Sequence, residues 1–502
     1  MKVILQRAKL EAFPSEAVVA FHFEGNDKLL RETEAIDKAS GGLISQVIQS
    51  RDFHGELYQS SLIYTTGAIP ANRILLMGLG KRMDFHLDNW RGTVSEAARF
   101  LRDKGVREFS LCPYLGGERK ISLEDFSQGL VEGIYLGLYQ FKEFKTEERE
   151  KIQEVQEIHL VTPDEKRISP IQKAVDAAEI ISKAVYLARD LVSRPANRKT
   201  PSMLAQVAKD VAGNNGLRWE ILNREEMKEL GMGALLAVAS GSHESPKFII
   251  LEYIPPKRGL DTVVVIGKAI TFDSGGLSLK PSENMDKMKH DMGGGAAAIG
   301  VMQAASQLKL PLHLVALIPA TENLPSGSAY RPGDVLNSLS GKTIEVISTD
   351  AEGRLILADA LAYSQRNKPK AIIDLATLTG ACIIALGQNV MGMMGNDEEL
   401  KARVRRAADR TGEKVWELPL WEEYEEQLKS EVADIKNVGG RPAGTITGGA
   451  FLKKFVGEYP WVHLDIAGPV WTDKDKPYIP KGATGVGVRL VVQLLRDWKV
   501  SS

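Results

Sequence analysis

Ser348-Thr349-Asp350-Ala351-Glu352-Gly353-Arg354-Leu355 is the stretch on which the reading of this chain turns. An apolar run (Ile344, Val346, Ile347) leads into it, and a helix-like pattern (Leu355, Leu357, Ala358, Leu361) leads out. On an extended chain, residues i and i+2 point the same way. The spacing therefore predicts that Asp350 and Glu352 face one spot just past the end of a strand, before Gly353 lets the chain turn. Two carboxylates aimed at one point repel each other unless something cationic lies between them. A divalent metal ion is the natural candidate.

A second block lies upstream. Thr262 to Ile266 reads as a buried strand that delivers Lys268. Asp273 follows in the Gly-rich turn Asp273-Ser274-Gly275-Gly276, and Lys280 comes next, beside Pro281. Asp291 stands at the mouth of a Gly/Ala-rich helix, Gly293 to Leu308. Open α/β sheets carry their sites at the carboxyl ends of strands, and both blocks fit that position. Asp273, Asp291, Asp350 and Glu352 offer carboxylate oxygens, which suit Mn, Mg or Zn. So many acids exceed what one tetrahedral zinc takes and point to two ions about 4 Å apart. From spacing alone, Lys268 reads as an ion-pair partner of one acid and Lys280 as a solvated surface lysine.

The two blocks resemble the signatures of the M17 leucyl aminopeptidase family, whose core motif reads NTDAEGRL. Lys268, Asp273, Lys280, Asp291, Asp350, Glu352 and Arg354 all stand at family spacing. The likeness covers about residue 190 to the end and is weaker before it. It implies two divalent metal ions, Mn²⁺ or Zn²⁺, bridged by Asp273 and Glu352. Asp291 and Lys268, as a neutral amine, would complete one ion, and Asp350 the other. It further implies that a metal-bridging hydroxide attacks the peptide carbonyl, that Lys280 acts as electrophile, and that Arg354 holds a bicarbonate ion serving as general base. No His or spare Glu inside the blocks offers itself as that base. His290, the one His nearby, reads as a supporting or exposed residue. Ser348 stands where the family has Asn, and Ala269 where Gly is common, which bears on specificity more than on activity. Met288, Thr377, Leu378, Gly380 and Ala467 are nominated for the apolar pocket that takes the substrate's first side chain; core packing is the competing reading, above all for Met288 and Ala467.

The rest of the chain is consistent with a soluble enzyme. Its 502 residues allow two to four domains, and Lys+Arg 64 against Asp+Glu 65 leaves a net charge of −1. That balance gives no global argument for nucleic acid or membrane binding, while leaving a local basic patch open. Met1-Lys2-Val3-Ile4-Leu5-Gln6-Arg7 lacks the apolar core of a signal peptide. Two distant cysteines, Cys112 and Cys382, suggest a reducing compartment and two buried small hydrophobes.

Alternating patterns over residues 1–165 predict a small α/β domain, macro-like by resemblance. Its strands are read at Ala17–Phe23, Arg73–Gly78, Phe109–Pro113 and Ile158–Val161, its helices at Trp90–Lys104 and Leu123–Gln140. Pro163 to Pro170 reads as a break, and a linker helix over 166–194 follows from Ile171, Ala174, Ala178, Ile181, Val185 and Ala188. Residues 195–502 predict a larger α/β sandwich, the catalytic domain. Its strands are read at Trp219–Leu222, Leu235–Ala239, Phe248–Tyr253, Thr262–Ile266, Leu312–Ile318, Ala371–Leu375 and Val462–Ile466. Gly293 to Ala298 literally matches a dinucleotide fingerprint, but close packing at a helix start explains it better, since Asp291 would repel a pyrophosphate. Gly439 to Thr445 reads as a loop near the site or at a subunit contact, and Trp421 to Glu426 as a solvated acidic helix.

The expected protein is a cytoplasmic leucyl aminopeptidase, a homohexamer acting on peptides. A narrower dipeptidase for substrates such as cysteinylglycine is one rival, and a DNA-binding or regulatory role is another.

Overall fold

The computed structural model describes residues 1–26, 28–115, 121–147, 153–257 and 259–498. By contact density the chain divides into two units, Met1–Ser182 with Lys474–Pro480, and Lys183–Asp473 with Lys481–Ser502. The helix Glu165–Ser193 carries residues of both.

The first unit is built on a six-stranded sheet in the order Lys2–Arg7, Glu157–Thr162, Glu108–Leu111, Ala17–His22, Arg73–Gly78, Ser60–Tyr64. Every pairing is parallel except the last, which is antiparallel. Parallel strands need crossovers, and the helices Arg31–Ala39, Leu87–Asp103 and Leu123–Leu138 belong to those connections. This is the expected small α/β domain. Lys2–Arg7 and Ser60–Tyr64 join the strands the sequence pattern picked out.

The second unit carries the site. Its main sheet runs Val415–Glu417, Met391–Gly395, Trp461–Asp465, Ala371–Ala376, Thr262–Gly267, His313–Asn323, Lys247–Tyr253, Arg218–Leu222, with Ala269–Asp273 paired beside His313–Asn323. The four middle strands are mutually parallel. Strands covered on both faces read as continuous apolar runs, and Val263-Val264-Val265-Ile266 and Ile372-Ile373 are fully buried. Val264, Ile266, Val315, Leu317 and Ile372 pack with Leu355, Ile356 and Leu357 of the helix Gly353–Ser364. On the other face the helix Gly293–Gln307 lies almost against the strands: a Cβ at Gly294 would stand 2.0 Å from the Leu375 carbonyl. Only glycine permits that approach, which accounts for the Gly/Ala run without any nucleotide.

Three local readings are corrected. Leu235–Ala239 is not a strand; Gly233–Val238 is a short helix packed in the same core. A brief apolar run cannot be told from a helix segment by periodicity. Pro163–Pro170 is not a break throughout, because the helix starts at Glu165 and holds Pro170 inside. A proline this close to a helix start forfeits one backbone bond, which a helix of 29 residues absorbs. Finally, the strand before Asp350 ends at Glu345 and belongs to a separate three-stranded sheet with Val335–Asn337 and Ile435–Lys436, not to the main sheet.

Candidate functional site

Lys268 leaves the carboxyl end of the central strand Thr262–Gly267, as expected. Its ammonium donates to Asp291 Oδ1 at 2.9 Å, Glu352 Oε1 at 2.8 Å and the Thr377 carbonyl at 2.8 Å. Asp291 precedes the helix Gly293–Gln307, and Thr377 Oγ1 donates to its Oδ1 at 2.6 Å. Glu352 is the N-cap of the helix Gly353–Ser364, with φ −75° and ψ −36°. A Cβ at Gly353 would sit 2.5 Å from Lys268 Cε, so any side chain there would push the Lys268 side chain aside. This half of the site is sealed, with side-chain exposures of 3%, 7% and 2% for Lys268, Asp291 and Glu352.

A second lysine between two acids stands beside it. Lys280 Nζ lies 2.8 Å from Asp273 Oδ2 and 2.5 Å from Asp350 Oδ1. Asp273 ends the strand Ala269–Asp273, where Gly275 N and Asn323 Nδ2 donate to its Oδ1 at 2.9 and 2.8 Å. Asp350 sits on a turn. The extended geometry that predicts its convergence with Glu352 is absent; the turn and the helical backbone of Glu352 bring the two acids together instead. The turn is clasped to the Gly-rich loop. Thr349 Oγ1 donates to the Gly275 carbonyl at 2.6 Å and accepts from Ser278 N at 2.8 Å, while Tyr330 donates to the Thr349 carbonyl at 2.7 Å. Gly275, at φ +87°, has no room for a side chain: its Cβ would stand 2.5 Å from the Ser278 carbonyl and 2.8 Å from Asp350 Oδ1. This half is open: Lys280 and Asp350 are 22% and 39% exposed.

Arg354, one residue into the helix, is buried. Its Nη1 donates to the Asn437 carbonyl at 2.7 Å, and its Nε has no partner. Asn437 also fixes the loop ahead of Asp350, accepting from Ile347 N at 2.8 Å and donating to the Ser348 carbonyl at 2.7 Å. The stretch Gly439–Thr445 runs into the helix Gly444–Lys453, where Thr445 shares a 3.0 Å hydroxyl contact with Thr379 and Gly448 lies beside Arg354.

The electrostatics tell of too little positive charge. Burial lowers the lysine pKa values, but the carboxylates beside Lys268 and Lys280 outweigh it and hold both well above the usual range. Burial pushes Asp291, Glu352 and Asp350 up, each opposed by its lysine. Lysines driven to stay charged and acids driven to become neutral are opposite statements about the same ion pairs. The ion-paired state is the better description, each ammonium lying between two carboxylates, and the raised acids express the surplus of carboxylates over ammonium groups. Burial also draws Arg354 down to about 10.

That surplus is what divalent cations would relieve. Oxygens of Asp273, Asp350 and Glu352 lie within 4.8 Å of one another. Among the described residues, Asp291 Oδ2, Glu352 Oε2 and Asn323 Oδ1 are buried with no donor. Unpaired buried acceptors are costly, and hard oxygen donors converging this closely fit Mn²⁺, Mg²⁺ or Zn²⁺.

Of the nominated pocket residues, Thr377, Leu378 and Ala467 gather at the carboxyl ends of the neighbouring parallel strands Ala371–Ala376 and Trp461–Asp465. Thr377 bonds both Asp291 and Lys268. Leu378 N and Ala467 N donate to Asp465 Oδ1 at 3.2 and 3.1 Å, and Leu378 also packs against the core. Gly380 is exposed at the start of the helix Gly380–Leu386, and Met288 lies half-buried in the turn Met285–His290. Spacing missed Asn323, Tyr330, Thr349, Asn437, Asp465 and Lys199. The Lys199 ammonium is buried, donating to the carbonyls of Arg194 and Lys289, just ahead of Asp291, and burial draws its pKa to about 7. Single polar residues scattered along the chain carry no motif that would mark them. Burial lowers His290 to about 4, which keeps its imidazole neutral near pH 7 and makes it a weak proton acceptor.

Known proteins resemble the chain over nearly all its length. The profile of the cytosol aminopeptidase family catalytic domain matches residues 186–492, and that of its N-terminal domain residues 18–148. A probable cytosol aminopeptidase of Geotalea uraniireducens (strain Rf4) is 50% identical over 465 residues, 92% of this chain and 93% of the relative. One from Geobacter sulfurreducens is 46% identical over 500 residues, 99% of each. Among solved structures, a mutant of tomato leucine aminopeptidase is 33% identical with a TM-score of 0.87, covering 99% of this chain and 96% of that one. The bottromycin maturation enzyme BotP in complex with Mn is 33% identical with a TM-score of 0.85, covering 96% and 99%.

Proposed function

The chain belongs to the cytosol aminopeptidase family, the M17 peptidases, and from that premise we propose that it is a two-metal leucyl aminopeptidase, releasing N-terminal residues, leucine preferred, from peptides. The observation that carries this is the meeting of Asp273, Asp291, Asp350 and Glu352 around two lysines, with buried carboxylate oxygens left unpaired. Lys268, Asp273, Asp291, Asp350 and Glu352 would hold the ions, Mn²⁺ or Zn²⁺. When bound, such a pair lowers the pKa of water and polarises a carbonyl.

The chain's own groups account for the rest. Lys280 is the cationic donor of the open half. It is placed to turn from its carboxylates toward a developing oxyanion, where a preset positive charge contributes most. Arg354 keeps Nε unspent while Asn437 holds Nη1, which suits a planar oxyanion such as bicarbonate acting as proton acceptor. Thr377 positions Asp291 and Lys268 together, so its role is orientation more than pocket lining. The family reading extends to a cytoplasmic homohexamer; among the described residues no helix is long and apolar enough to cross a membrane. Sedimentation velocity on the purified protein tests the assembly.

The deciding experiment is hydrolysis of leucyl-p-nitroanilide after chelation and again after Mn²⁺ or Zn²⁺ is restored, with Asp350→Ala alongside. Activity lost with chelator, regained with metal and absent in the variant is the expected outcome. Inactivity on leucyl substrates with rapid cleavage of cysteinylglycine would replace this reading with the dipeptidase.

A further inference from the structure

The first unit holds a second cluster of metal-binding groups, built on its sheet from Glu108, Glu157 and His159. Glu157 and His159 are two apart on one strand, so they share a face. Glu108 is in register with Glu157 on the neighbouring parallel strand. Like charges directly opposite on adjacent strands are destabilising, yet this pair sits over a histidine and not a lysine. Lys2, in register with Glu157 on its other side, forms no ion pair with it among the described residues.

His159 is the second observation. It is 8% exposed, and neither ring nitrogen makes a hydrogen bond with a described residue. Its Nε2 points at the acids, 3.7 Å from Glu157 Oε2 and 4.0 Å from Glu108 Oε2, beyond hydrogen-bond reach. The Phe13 ring, with centroids 5.2 Å apart, packs on the imidazole and fixes its plane. Donors around a tetrahedral ion with legs of about 2.0–2.1 Å stand roughly 3.4 Å apart. The spacing here is therefore close to that of ligands and wrong for a direct bond. Half-exposed Glu108 and Glu157 leave the outer side of the cluster open to water.

We infer that Glu108, Glu157 and His159 form a divalent-cation site, with one imidazole nitrogen, two carboxylates and water as ligands, a set that suits Zn²⁺ among the common ions. It lies in the first unit and contains none of the residues of the candidate active site, so it would be regulatory or stabilising.

The test counts ions. Holoenzyme, His159→Ala and the double variant E108Q/E157Q are dialysed to equilibrium against a series of free Zn²⁺ concentrations, and bound metal per chain is read by elemental analysis. The expected result is one ion more per chain in the wild type than in either variant, with leucyl-p-nitroanilide turnover equal in all three. The reading is a difference, so it does not depend on how many ions the active site holds. The isosteric double variant keeps the test valid should His159→Ala fail to fold. Equal counts in wild type and double variant across the series would overturn the site and leave a plain histidine–glutamate contact.

Discussion

The two halves of the active site use the same device, a lysine between two carboxylates, in opposite surroundings. Lys268, Asp291 and Glu352 are sealed between the sheet and two helix starts, while Lys280 and Asp350 face solvent. Burial multiplies the cost of an unpaired charge, so the sealed half is bound to the stability of the fold. The open half is partly exposed, so water screens it more. On the proposed function, one constellation would separate holding from acting: a sealed inner side and an open outer side placed to meet the substrate.

Substitutions should expose that contrast. The largest effect is expected from Lys268→Met, which leaves Asp291 and Glu352 facing each other without a cation. Chelated protein should lose about 3–5 kcal/mol in denaturant unfolding, and activity should fall below detection. Stability unchanged from wild type would break the distinction between the halves. Lys280→Met should instead cost about 10²–10³ in kcat with a smaller loss of unfolding stability than Lys268→Met, since only one of its two acids, Asp273, is buried. A comparable stability loss in both variants would merge the halves into one unit. Gly353→Ala comes next. Its methyl group must displace the Lys268 side chain, and misplacement on the scale of an ångström costs roughly 10²-fold in kcat/KM.

A pH dependence sharpens the boundary of the sealed half. Lys199 has its pKa lowered from 10.5 to about 7, chiefly by burial. Between those values the unfolded chain binds more protons than the folded one, so stability should rise as pH climbs from about 7 to 10.5. Lys199→Met should flatten that slope, as followed by thermal unfolding across the range.

What the sequence revealed and what it hid divide along similar lines. Asp273, Asp291, Asp350 and Glu352 were legible from short blocks where a strand, a glycine turn and a helix start follow one another, whereas Lys268, Lys280 and Arg354 stood out only through the family resemblance, since spacing alone left Lys268 as an ion-pair partner and Lys280 as a surface lysine. The continuous apolar strand Thr262–Gly267 announced a buried parallel sheet. The pleat of a strand does not bring Asp350 and Glu352 together; a turn at Asp350 and the helix cap at Glu352 do the converging. Asn437 and Asn323 stayed hidden: each is a lone amide far along the chain from the acids it serves, and only tertiary contact gives it meaning. Leu235–Ala239 was misread because five apolar residues fit either period.

Gly353 carries one more consequence. The wall of the Lys268 slot at that point is main chain, not side chain, so it cannot be widened or narrowed by substitution as a pocket lined with leucines can. The gap is set by covalent bond lengths on one side and by the sheet on the other, and mutation can only obstruct it. Anyone transplanting Ser348–Leu355 into another scaffold would have to bring the strand Thr262–Gly267 with it at its native distance, because the two are cut to a single gauge.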